Sequence, residues 1–594
     1  MNKKRDRIYN TSEAPHSRRR KRRGATMKLE KYIGCSEASR KLIPADLVLK
    51  NASIVNVFTD RVEKGNIAIK NGMIVGIGDY KGKEEIDIHG QYVTSGFINA
   101  HLHLESTMVN PQVLIAQAAM HGTTTFIVDP HEAANVSGRD GIDYILDQTK
   151  HSPAHVYVMI ASCVPATPID DNGFRLTARE MESYMGNRRV LGLGEVMDTQ
   201  AVITGDPEMN AKIELFDGKI KDGHAPGLSE EALAAYVLAG ITTDHEGTSY
   251  EYIMRERSMG MFCLIREGSA ARSLEAIVKG IVENNTNTEG FGFCTDDRHI
   301  DDIIREGDID NNVRKAVSMG ISPIAAVKMA TIQSARCYGL RRTGAVAPGY
   351  DADLVVWDSL KDFNAQMVFY NGRRIDDMLR IKPAPCPPQL LDTIRMAQID
   401  PRKLEIRPGA VPFPVIRMIP GEILTERVDM ILPGTEDGGQ FVPNEKVSKI
   451  ATFERHHYTG KIGAGAVLGF GIRGGAIASS VSHDSHNIIA IGDNDEDILA
   501  AVRELERTHG GYTIVEHGEV FDTLELPIMG LISDRSYSYV SKKVRRMTAK
   551  AHKMGVPKDM EPFITLSFMA LPVIPEIRCT PRGIFSVSEW KMLT

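Results

Sequence analysis

The sequence predicts an α/β protein built on a TIM-like (β/α)8 barrel. Two observations support this prediction. Between Val93 and Asp297, eight apolar, strand-like runs each end on a polar residue, and helix-length segments separate the runs. Eight βα units in about 200 residues match the number and size of the units that close such a barrel. Because the carboxyl ends of barrel strands converge on one site, we expect these polar residues to meet there.

The polar residues at the strand ends are rich in metal-binding types. The first run contains His101 and His103, and a spacing of two on a strand directs both imidazoles to one face. The later runs end, in chain order, on Asp129, Ser162, Glu195, His224, His245, Arg266 and Asp296. One histidine at a strand end is more often an ordinary polar residue than a ligand. A whole set of buried histidines and carboxylates, however, would be costly to desolvate without a cation.

Six of these side chains therefore form a predicted metal site. They are His101, His103, Glu195, His224, His245 and Asp296. Six nitrogen and oxygen ligands without a cysteine are more than one tetrahedral zinc ion needs, and they suit a pair of divalent transition metals.

This pattern resembles the signature of the amidohydrolase superfamily, which has a His-X-His after the first strand, two further single histidines and an aspartate after the last strand. The matching residues are His101, His103, His224, His245 and Asp296. Many two-metal members bridge their ions with a carboxylated lysine at the fourth strand, where this chain has Glu195. In that feature, in the DPHE stretch from Asp129 and in TDDRHIDDI from Thr295, the chain resembles the bacterial adenine deaminases. The resemblance covers nearly the whole chain after about Pro44.

The flanks of the barrel carry alternating apolar and polar residues, and Asn71-Gly72 between two such runs is a hairpin signal. Both flanks together predict a small β-sandwich, an organisation that amidohydrolases also have. We expect a disordered basic tail or upstream start in residues 1–27, the sandwich in 28–92 and 341–380, the barrel in 93–340, a proline-rich linker in 381–391 and an additional α+β domain of the adenine deaminase type in 392–594.

The resemblance implies hydrolytic deamination of adenine to hypoxanthine and ammonia in purine salvage, by a hydroxide that bridges two metal ions. It implies that one ion binds His101, His103, Glu195 and Asp296, and the other binds Glu195, His224 and His245. Manganese or iron is the expected metal, with zinc possible. We expect Asp296 to accept the proton of the hydroxide.

A further acid would protonate the purine ring and make it a better electrophile. The candidates are Glu132, Asp297, Glu246 and His131, with Glu132 and Asp297 ranked first. Each of them could equally orient a metal ligand.

Two other functions compete with deamination of adenine. A cyclic amide hydrolase of the same superfamily, similar to dihydroorotase or hydantoinase, is the alternative, although it would normally need a bridging lysine. Lys219 and Lys221 lie near His224 in sequence and leave that possibility open. A metal-free binding protein on the same scaffold would have lost ligands, whereas this chain has the full set. The cytidine deaminase fold is excluded because it needs PCxxC, and the one Pro-Cys here is followed by Pro387.

Two features of the C-terminal domain also have possible roles. His483 and His486 in SHDSHN could reach the barrel mouth or hold a secondary metal, but a surface or loop position is the favoured interpretation. Gly469 to Gly474 spell GxGxxG, which predicts dinucleotide binding only where a helix follows, and an apolar run follows here.

The composition of the chain limits the kinds of partner that it is expected to bind. The net charge is −6 although the first 26 residues hold ten Lys and Arg against two Asp and Glu, and such an acidic body disfavours nucleic acid. No apolar run approaches the roughly 18 residues of a membrane span. Seven scattered cysteines favour a reducing cytoplasm. We expect a homodimer that acts on free adenine, a small molecule.

Overall fold

The structure, a computed structural model, describes residues 28–378, 383–419 and 424–594. The predicted tail at 1–27 and residues 381–382 of the predicted linker lie outside these ranges. The N-terminal flank begins with helix α1 (Leu29–Ser39) and continues with β1 (Ala45–Asn56), β2 (Arg61–Lys70), β3 (Met73–Ile77), β4 (Gly82–Asp87) and β5 (Tyr92–Ser95).

The turn between β2 and β3 confirms the hairpin signal. Asn71 has φ 53° and Gly72 has φ 74°, so both residues adopt the left-handed conformation. A two-residue turn of this hand matches the twist of the strands it joins, and Asn-Gly is the pair that adopts it most readily.

The barrel follows directly. Its strands are β6 (Phe97–Leu102), β7 (Thr123–Val128), β8 (His155–Ile160), β9 (Val190–Val196), β10 (Ile220–Gly223), β11 (Thr243–Asp244), β12 (Phe262–Arg266) and β13 (Phe291–Cys294). Strands β6 to β10 form one parallel arc and β11 to β13 form another. The predicted (β/α)8 fold is confirmed.

Two backbone hydrogen bonds close the barrel at the seams between the arcs. At one seam Thr242 N donates to Lys221 O over 3.2 Å, and at the other Asp296 N donates to His101 O over 3.1 Å. The second bond joins the first and last strands at their carboxyl ends, so closure itself brings Asp296 to the histidines of β6.

Helices surround the strands. They are α2 (Pro111–Met120), α3 (His131–Ser137), α4 (Arg139–Gln148), α5 (Ala178–Met181), α6 (Thr199–Thr204), α7 (Pro207–Leu215), α8 (Glu230–Leu238), α9 (Tyr250–Ser258), α10 (Leu274–Glu283), α11 (Ile300–Glu306), α12 (Ile309–Ser318), α13 (Pro323–Lys328) and α14 (Ser334–Cys337). The Asn110 side chain caps α2 by accepting from Gln112 N, and Pro111 occupies the first position. Between α13 and α14, residues Met329–Gln333 form a π-helical turn, so the α-helix is interrupted there.

The second flank returns to the sheet of the first. It contributes β14 (Leu354–Trp357), β15 (Ala365–Tyr370) and β16 (Arg373–Arg374). Strand β14 pairs with β5, which joins both flanks in one eight-stranded sheet. Buried side chains from both flanks share a hydrophobic cluster, so the two flanks pack as one unit.

The described residues of the C-terminal part form a second eight-stranded sheet, a three-stranded sheet and three α-helices. Its elements are β17 (Phe413–Met418), β18 (Thr425–Met430), β19 (Val447–Phe453), β20 (Ile462–Leu468), β21 (Gly475–Ser479), β22 (Ile488–Gly492), α15 (Asp495–Arg507), β23 (Gly511–Glu516), β24 (Glu519–Glu525), α16 (Tyr537–Lys553), α17 (Pro562–Phe568), β25 (Ile577–Thr580), β26 (Gly583–Ser586) and β27 (Lys591–Met592). The GxGxxG run leads into strand β21, so the helix that dinucleotide binding requires does not follow it.

The large C-terminal sheet is covered on both faces, because successive side chains of a strand point to opposite sides. Ala476 and Ala478 of β21 pack in the cluster that includes α15. Ile477, between them, packs in a cluster that includes α16, α17 and residues of the barrel. That face of the sheet therefore joins the C-terminal domain to the barrel through a continuous core. Among the described helices, none is both long and apolar enough to cross a bilayer.

An ion pair connects the barrel to the flanking sheet and should make stability depend on pH. His155 Nε2 lies 2.9 Å from Asp353 Oδ2. Burial lowers the pKa of His155, but the charge of Asp353 outweighs it and the net shift is upward. The pair stabilises the folded state below the ordinary histidine pKa of about 6.5, and the contribution disappears as pH rises through the raised folded value.

We expect His155→Gln to lower Tm by about 2 °C at pH 6 and by less at pH 9, measured by thermal unfolding at both pH values. His151→Gln, at an exposed position before the same strand, is the matched control and should leave Tm unchanged. An equal loss at both pH values would contradict the ionic interpretation.

Candidate metal centre and active site

The two histidines of the first barrel strand face the aspartate that follows the last. His101 and His103 are buried, and their Nε2 atoms lie 3.2 Å apart. Asp296 Oδ1 lies 3.0 Å from His103 Nε2 and 3.6 Å from His101 Nε2. Burial, followed by the charge of His245, lowers the pKa of His101 to about 3.

Glu195, near the end of β9, places one carboxylate oxygen against each pair of histidines. Its Oε1 lies 3.6 Å from His101 Nε2 and 3.3 Å from His103 Nε2. Its Oε2 lies 2.9 Å from His224 Nδ1 and 3.5 Å from His245 Nε2. This is the geometry of a carboxylate that can bridge two cations.

The second pair of histidines is held by Asp244, which ends β11. Its Oδ1 accepts from Ala225 N over 2.7 Å, and its Oδ2 accepts from the backbone N of Glu246 over 2.7 Å. One buried carboxylate thereby fixes the loops that carry both His224 and His245.

The residues present fit a metal centre. Several groups of three side chains place one ligand atom each within 4.8 Å of one another, among them His101 with His103 and Asp296, and His101 with Glu195 and His245. Glu195 Oε1 is buried and has no hydrogen-bond partner among the described residues. Buried carboxylate oxygens are rarely left unpaired, so a cation at this position would satisfy it.

Lys219 and Lys221, the two lysines considered for the bridging position, lie away from the predicted metal ligands. Lys219 Nζ donates to the carbonyl of Val190 over 2.7 Å. Val190 is the first residue of β9, at the end of the strand opposite to Glu195. Lys221 lies in β10 beside Gly240, which follows α8 at the same end of the barrel. Neither lysine reaches the histidines.

Arg266, the last residue of β12, clamps two carboxylates. It is fully buried, and its guanidinium donates through both terminal nitrogens to Glu246 and over 2.7 Å to Asp296 Oδ2. Burial raises the pKa of Glu246, but the Arg266 charge outweighs it and lowers the pKa to about 2. Glu246 is therefore ionised, and it also lies 3.4 Å from His245 Nε2. This arrangement favours an orienting role over that of an acid.

Ser106 joins the two first-ranked acid candidates. Its hydroxyl contacts Glu132 Oε1 at 2.9 Å and also contacts Asp297 Oδ1. Because a serine hydroxyl has one proton, it can donate to only one of them, and the other carboxyl must supply a proton of its own. Burial, with added repulsion from Asp297 and Glu105, raises the pKa of Glu132 to about 8. Glu132 therefore holds this proton at neutral pH.

Asp129, the first residue of the DPHE stretch, positions the predicted metal ligands His103 and Glu195. The carbonyl of Asp129 accepts from His103 Nδ1 over 2.9 Å, which leaves His103 Nε2 free to bind a cation. Asp129 Oδ2 also accepts from Glu195 N over 2.8 Å. His131 Nδ1 lies 3.2 Å from Glu195 Oε1, so His131 borders the metal ligands.

Side chains of the C-terminal domain line the mouth of the barrel, and we call them the C-terminal cover: His483, Asp484, Phe568, Leu571 and Ile574. Together with predicted ligands they line a small cavity that is partly open to solvent. The His483 ring stacks on Phe568 with centroids 4.7 Å apart. His483 Nε2 lies 3.5 Å from Asp297 Oδ2.

The favoured interpretation of His483 and His486, a surface or loop position, is right about the loop and wrong about the surface. Both are buried, since the connection between β21 and β22 packs against the barrel. The other interpretation, that His483 reaches the barrel mouth, is the one the structure supports. His486 lies behind it and accepts from Ser482 N over 3.2 Å through Nδ1.

The structure thus brings five of the six predicted ligands and the acid candidates Asp297, Glu246 and His131 to the lining of one cavity. The sixth ligand, His101, contacts His103, and Glu132 reaches the cavity through Ser106 and Asp297. Sequence reasoning did not assign roles to Asp129 and Arg266, although both stand at strand ends, and it missed Asp484 and Phe568. The only signal for Asp484 was the polar SHDSHN cluster between two apolar runs. No local signal distinguished Phe568 from a core residue.

Comparison with known proteins agrees with this geometry. Residues 92–375 match the family described as amidohydrolase family, and residues 422–591 match adenine deaminase C-terminal domain. A protein of Desulfitobacterium hafniense (strain Y51) named adenine deaminase is 51% identical over 549 residues, which are 92% of this chain and 96% of that protein. Another of that name, from Clostridium acetobutylicum, is 44% identical over 573 residues, which are 95% of this chain and 99% of that protein. A crystal structure of an adenine deaminase aligns over 52% of this chain and 89% of that chain, with 18% identity and a TM-score of 0.41, a likeness too distant to add to these matches.

The barrel and its cluster of histidines and carboxylates are those of a metal-dependent hydrolase of the amidohydrolase type. The near full-length identity then narrows the assignment, and the chain belongs to the adenine deaminase family.

Proposed function

We propose that the protein hydrolyses adenine to hypoxanthine and ammonia, as the names of its relatives suggest. The observation that carries this proposal is the single cavity bordered both by the predicted metal ligands and by the Asp297 end of the acid cluster. Deamination needs both, because water must be activated as a nucleophile while the ring accepts a proton.

In the reaction, a water oxygen bonds to the ring carbon that carries the amino group, and the carbon–nitrogen bond then breaks to release ammonia. Two divalent ions, bound by the two histidine pairs on either side of Glu195, would lower the pKa of a water molecule and so supply the nucleophile. The two-ion count and the choice of manganese or iron, with zinc possible, are part of the proposal. Histidine and carboxylate ligands suit all three metals.

Asp296 is proposed as the proton acceptor. Arg266 holds its Oδ2, while Oδ1 faces His103. Burial opposes ionisation, but the Arg266 charge and the histidines keep the pKa of Asp296 well below its usual range. The carboxylate is therefore ionised and oriented to take a proton from water as the carbon–oxygen bond forms, and to return it to the departing amino group.

Glu132, Ser106 and Asp297 are proposed to protonate the ring. Glu132 holds a proton at neutral pH, Ser106 contacts both carboxyl groups, and Asp297 borders the cavity. A proton that moves from Glu132 to Ser106, as the Ser106 proton moves to Asp297, places an acid beside the substrate. A protonated ring nitrogen withdraws electrons from the carbon under attack.

The C-terminal cover is proposed to exclude water from the bound base. Phe568, Leu571 and Ile574 are apolar and nearly inaccessible to solvent. Excluding solvent strengthens the electrostatic interactions inside the cavity. The cyclic amide hydrolase alternative is not favoured, because the relatives are named adenine deaminases and neither nearby lysine reaches the bridging position.

The remaining expectations stay proposals. Cytoplasmic location is supported by the cysteines, since all seven lie in the described ranges and none forms a disulfide. A homodimer rests on the frequency of symmetric oligomers among enzymes.

Substrate turnover tests the activity. Protein reconstituted with Mn²⁺ should convert adenine to equal amounts of hypoxanthine and ammonia, and should leave adenosine, dihydroorotate and hydantoin unchanged, as followed by spectrophotometry and an ammonia assay. Asp296→Asn should lower kcat by about 10²–10⁴, the range typical for loss of a positioned proton acceptor. Opening of a cyclic amide without adenine turnover would contradict the assignment.

The proton relay is tested at Ser106. Ser106→Ala should lower kcat for adenine by about 100-fold with bound metal unchanged, because it interrupts the path between Glu132 and Asp297 without touching a proposed ligand. The matched control is Ser137→Ala at the end of α3, which should keep full turnover. Full activity in Ser106→Ala, measured by steady-state kinetics, would remove the relay from the mechanism.

A further inference from the structure

A second cavity lies between the barrel and the end of the C-terminal domain, beside the cavity of the metal centre, which we call the active cavity. We call the second cavity the vestibule, and its lining includes Ala166, Asp198, Gln200, Val587 and Trp590. Its volume of about 550 Å³ is within the range of about 300–1,000 Å³ that is usual for small-molecule sites. We propose that the vestibule binds a free purine base on its way into the active cavity, with the ring stacked on Trp590. The proposal rests on the proposed function, because the purine is the substrate of that reaction.

The end of strand β9 leads from the metal centre to the vestibule. Glu195 is a predicted metal ligand near the end of β9, Met197 lines the active cavity, and the next residue, Asp198, lines the vestibule. Since consecutive Cα atoms are about 3.8 Å apart, the Cα atom of Asp198 lies at most about 11 Å from that of Glu195. The vestibule is therefore close enough to the metal centre for a small molecule to pass directly from one cavity to the other.

A layer of apolar side chains separates the two cavities. Ala166, in the wall of the vestibule, belongs to one hydrophobic cluster with Met197, Leu571 and Ile574, which line the active cavity. The side chain of Met197 is unbranched and flexible, so it can change rotamer and still fill the space that it leaves. Because burying polar groups is costly, an uncharged planar base passes such a layer more easily than a molecule that carries charged groups.

Trp590 gives the vestibule an aromatic surface. Its side chain is 41% exposed, and it lies in the turn between β26 and β27. Its φ of 51° is one that a bulky residue rarely adopts. The ring is held by an edge contact with Phe585, with centroids 5.3 Å apart. An aromatic ring binds a base by stacking on its π-face, so this fixed and accessible ring suits a purine.

Asp198 adds a hydrogen-bond acceptor to the same cavity. Its Oδ1 accepts from Ala201 N over 2.9 Å and so caps helix α6, which fixes the carboxylate in the wall of the vestibule. A carboxylate has two acceptor oxygens, and the second can accept from a ring N–H or from the amino group of adenine. The vestibule thus offers a stacking surface for the ring and an acceptor for its edge.

Purine counting tests the binding site. Radiolabelled hypoxanthine, the expected product, is dialysed to equilibrium against the metal-loaded protein, and the bound purine per chain is measured. We expect two purines in the unaltered protein and one in Trp590→Ala. The matched control is Tyr458→Ala, because Tyr458 is also exposed, at 62%, and also has a positive φ, of 54°. This control should bind two.

Equal counts in the unaltered protein and in Trp590→Ala would overturn the proposal. The decisive quantity is the loss of one purine in Trp590→Ala, and it does not depend on turnover. A protein that loses one purine in this variant but does not deaminate adenine would contradict the proposed function and leave the purine site standing.

A chemical plug tests the route. Gln200→Cys, at an exposed position of the vestibule, is labelled with a bulky maleimide. We expect kcat/KM for adenine to fall by about 10-fold or more on labelling, because productive association requires an open path. The matched control is Asn210→Cys, exposed on α7 outside the lining of the vestibule, which should keep its kcat/KM when it is labelled in the same way. Unchanged kcat/KM in labelled Gln200→Cys would overturn the route through the vestibule.

Discussion

The Glu195 carboxylate, set between two pairs of histidines, is the interaction on which the rest of the structure depends. Each oxygen faces one pair, at 3.3 and 3.6 Å on one side and at 2.9 and 3.5 Å on the other. Without cations, this concentration of buried polar groups would destabilise the barrel. The neighbouring residues serve to hold it. Asp129 accepts a hydrogen bond from the backbone N–H of Glu195. Asp244 fixes the loops of the second histidine pair, and Arg266 orients Asp296.

Barrel closure and domain docking contribute to the active site in different ways. Closure brings the ends of β13 and β6 together, so Asp296 meets His101 through the same seam that completes the barrel. Docking then covers the mouth with loop and helix residues of the C-terminal domain, and the core shared with one face of its large sheet makes the docking part of the fold. A cavity closed in this way keeps solvent from weakening the electrostatic interactions that the chemistry requires.

Features that depend on neighbours along the chain could be predicted from the sequence, whereas features that depend on contacts between distant residues could not. The strand ends and the Asn71-Gly72 hairpin depend on neighbours along the chain, and both were predicted. The positions of His483 and Phe568 depend on a domain that docks more than 300 residues after β6 in sequence, and no local pattern reports such contacts. Arg266 was visible at its strand end, but its two carboxylate partners became apparent only from the closed barrel.

Anomalous diffraction from crystals of the Mn²⁺-loaded protein tests the central claim most directly, since it locates the ions relative to Glu195. The account predicts two strong peaks about 3.5–4 Å apart at the barrel mouth, one beside each carboxylate oxygen, because that is the separation of ions in two-metal hydrolases. A single peak there, or a pair of ions of which only one contacts Glu195, would contradict the bridging role and with it the two-ion mechanism.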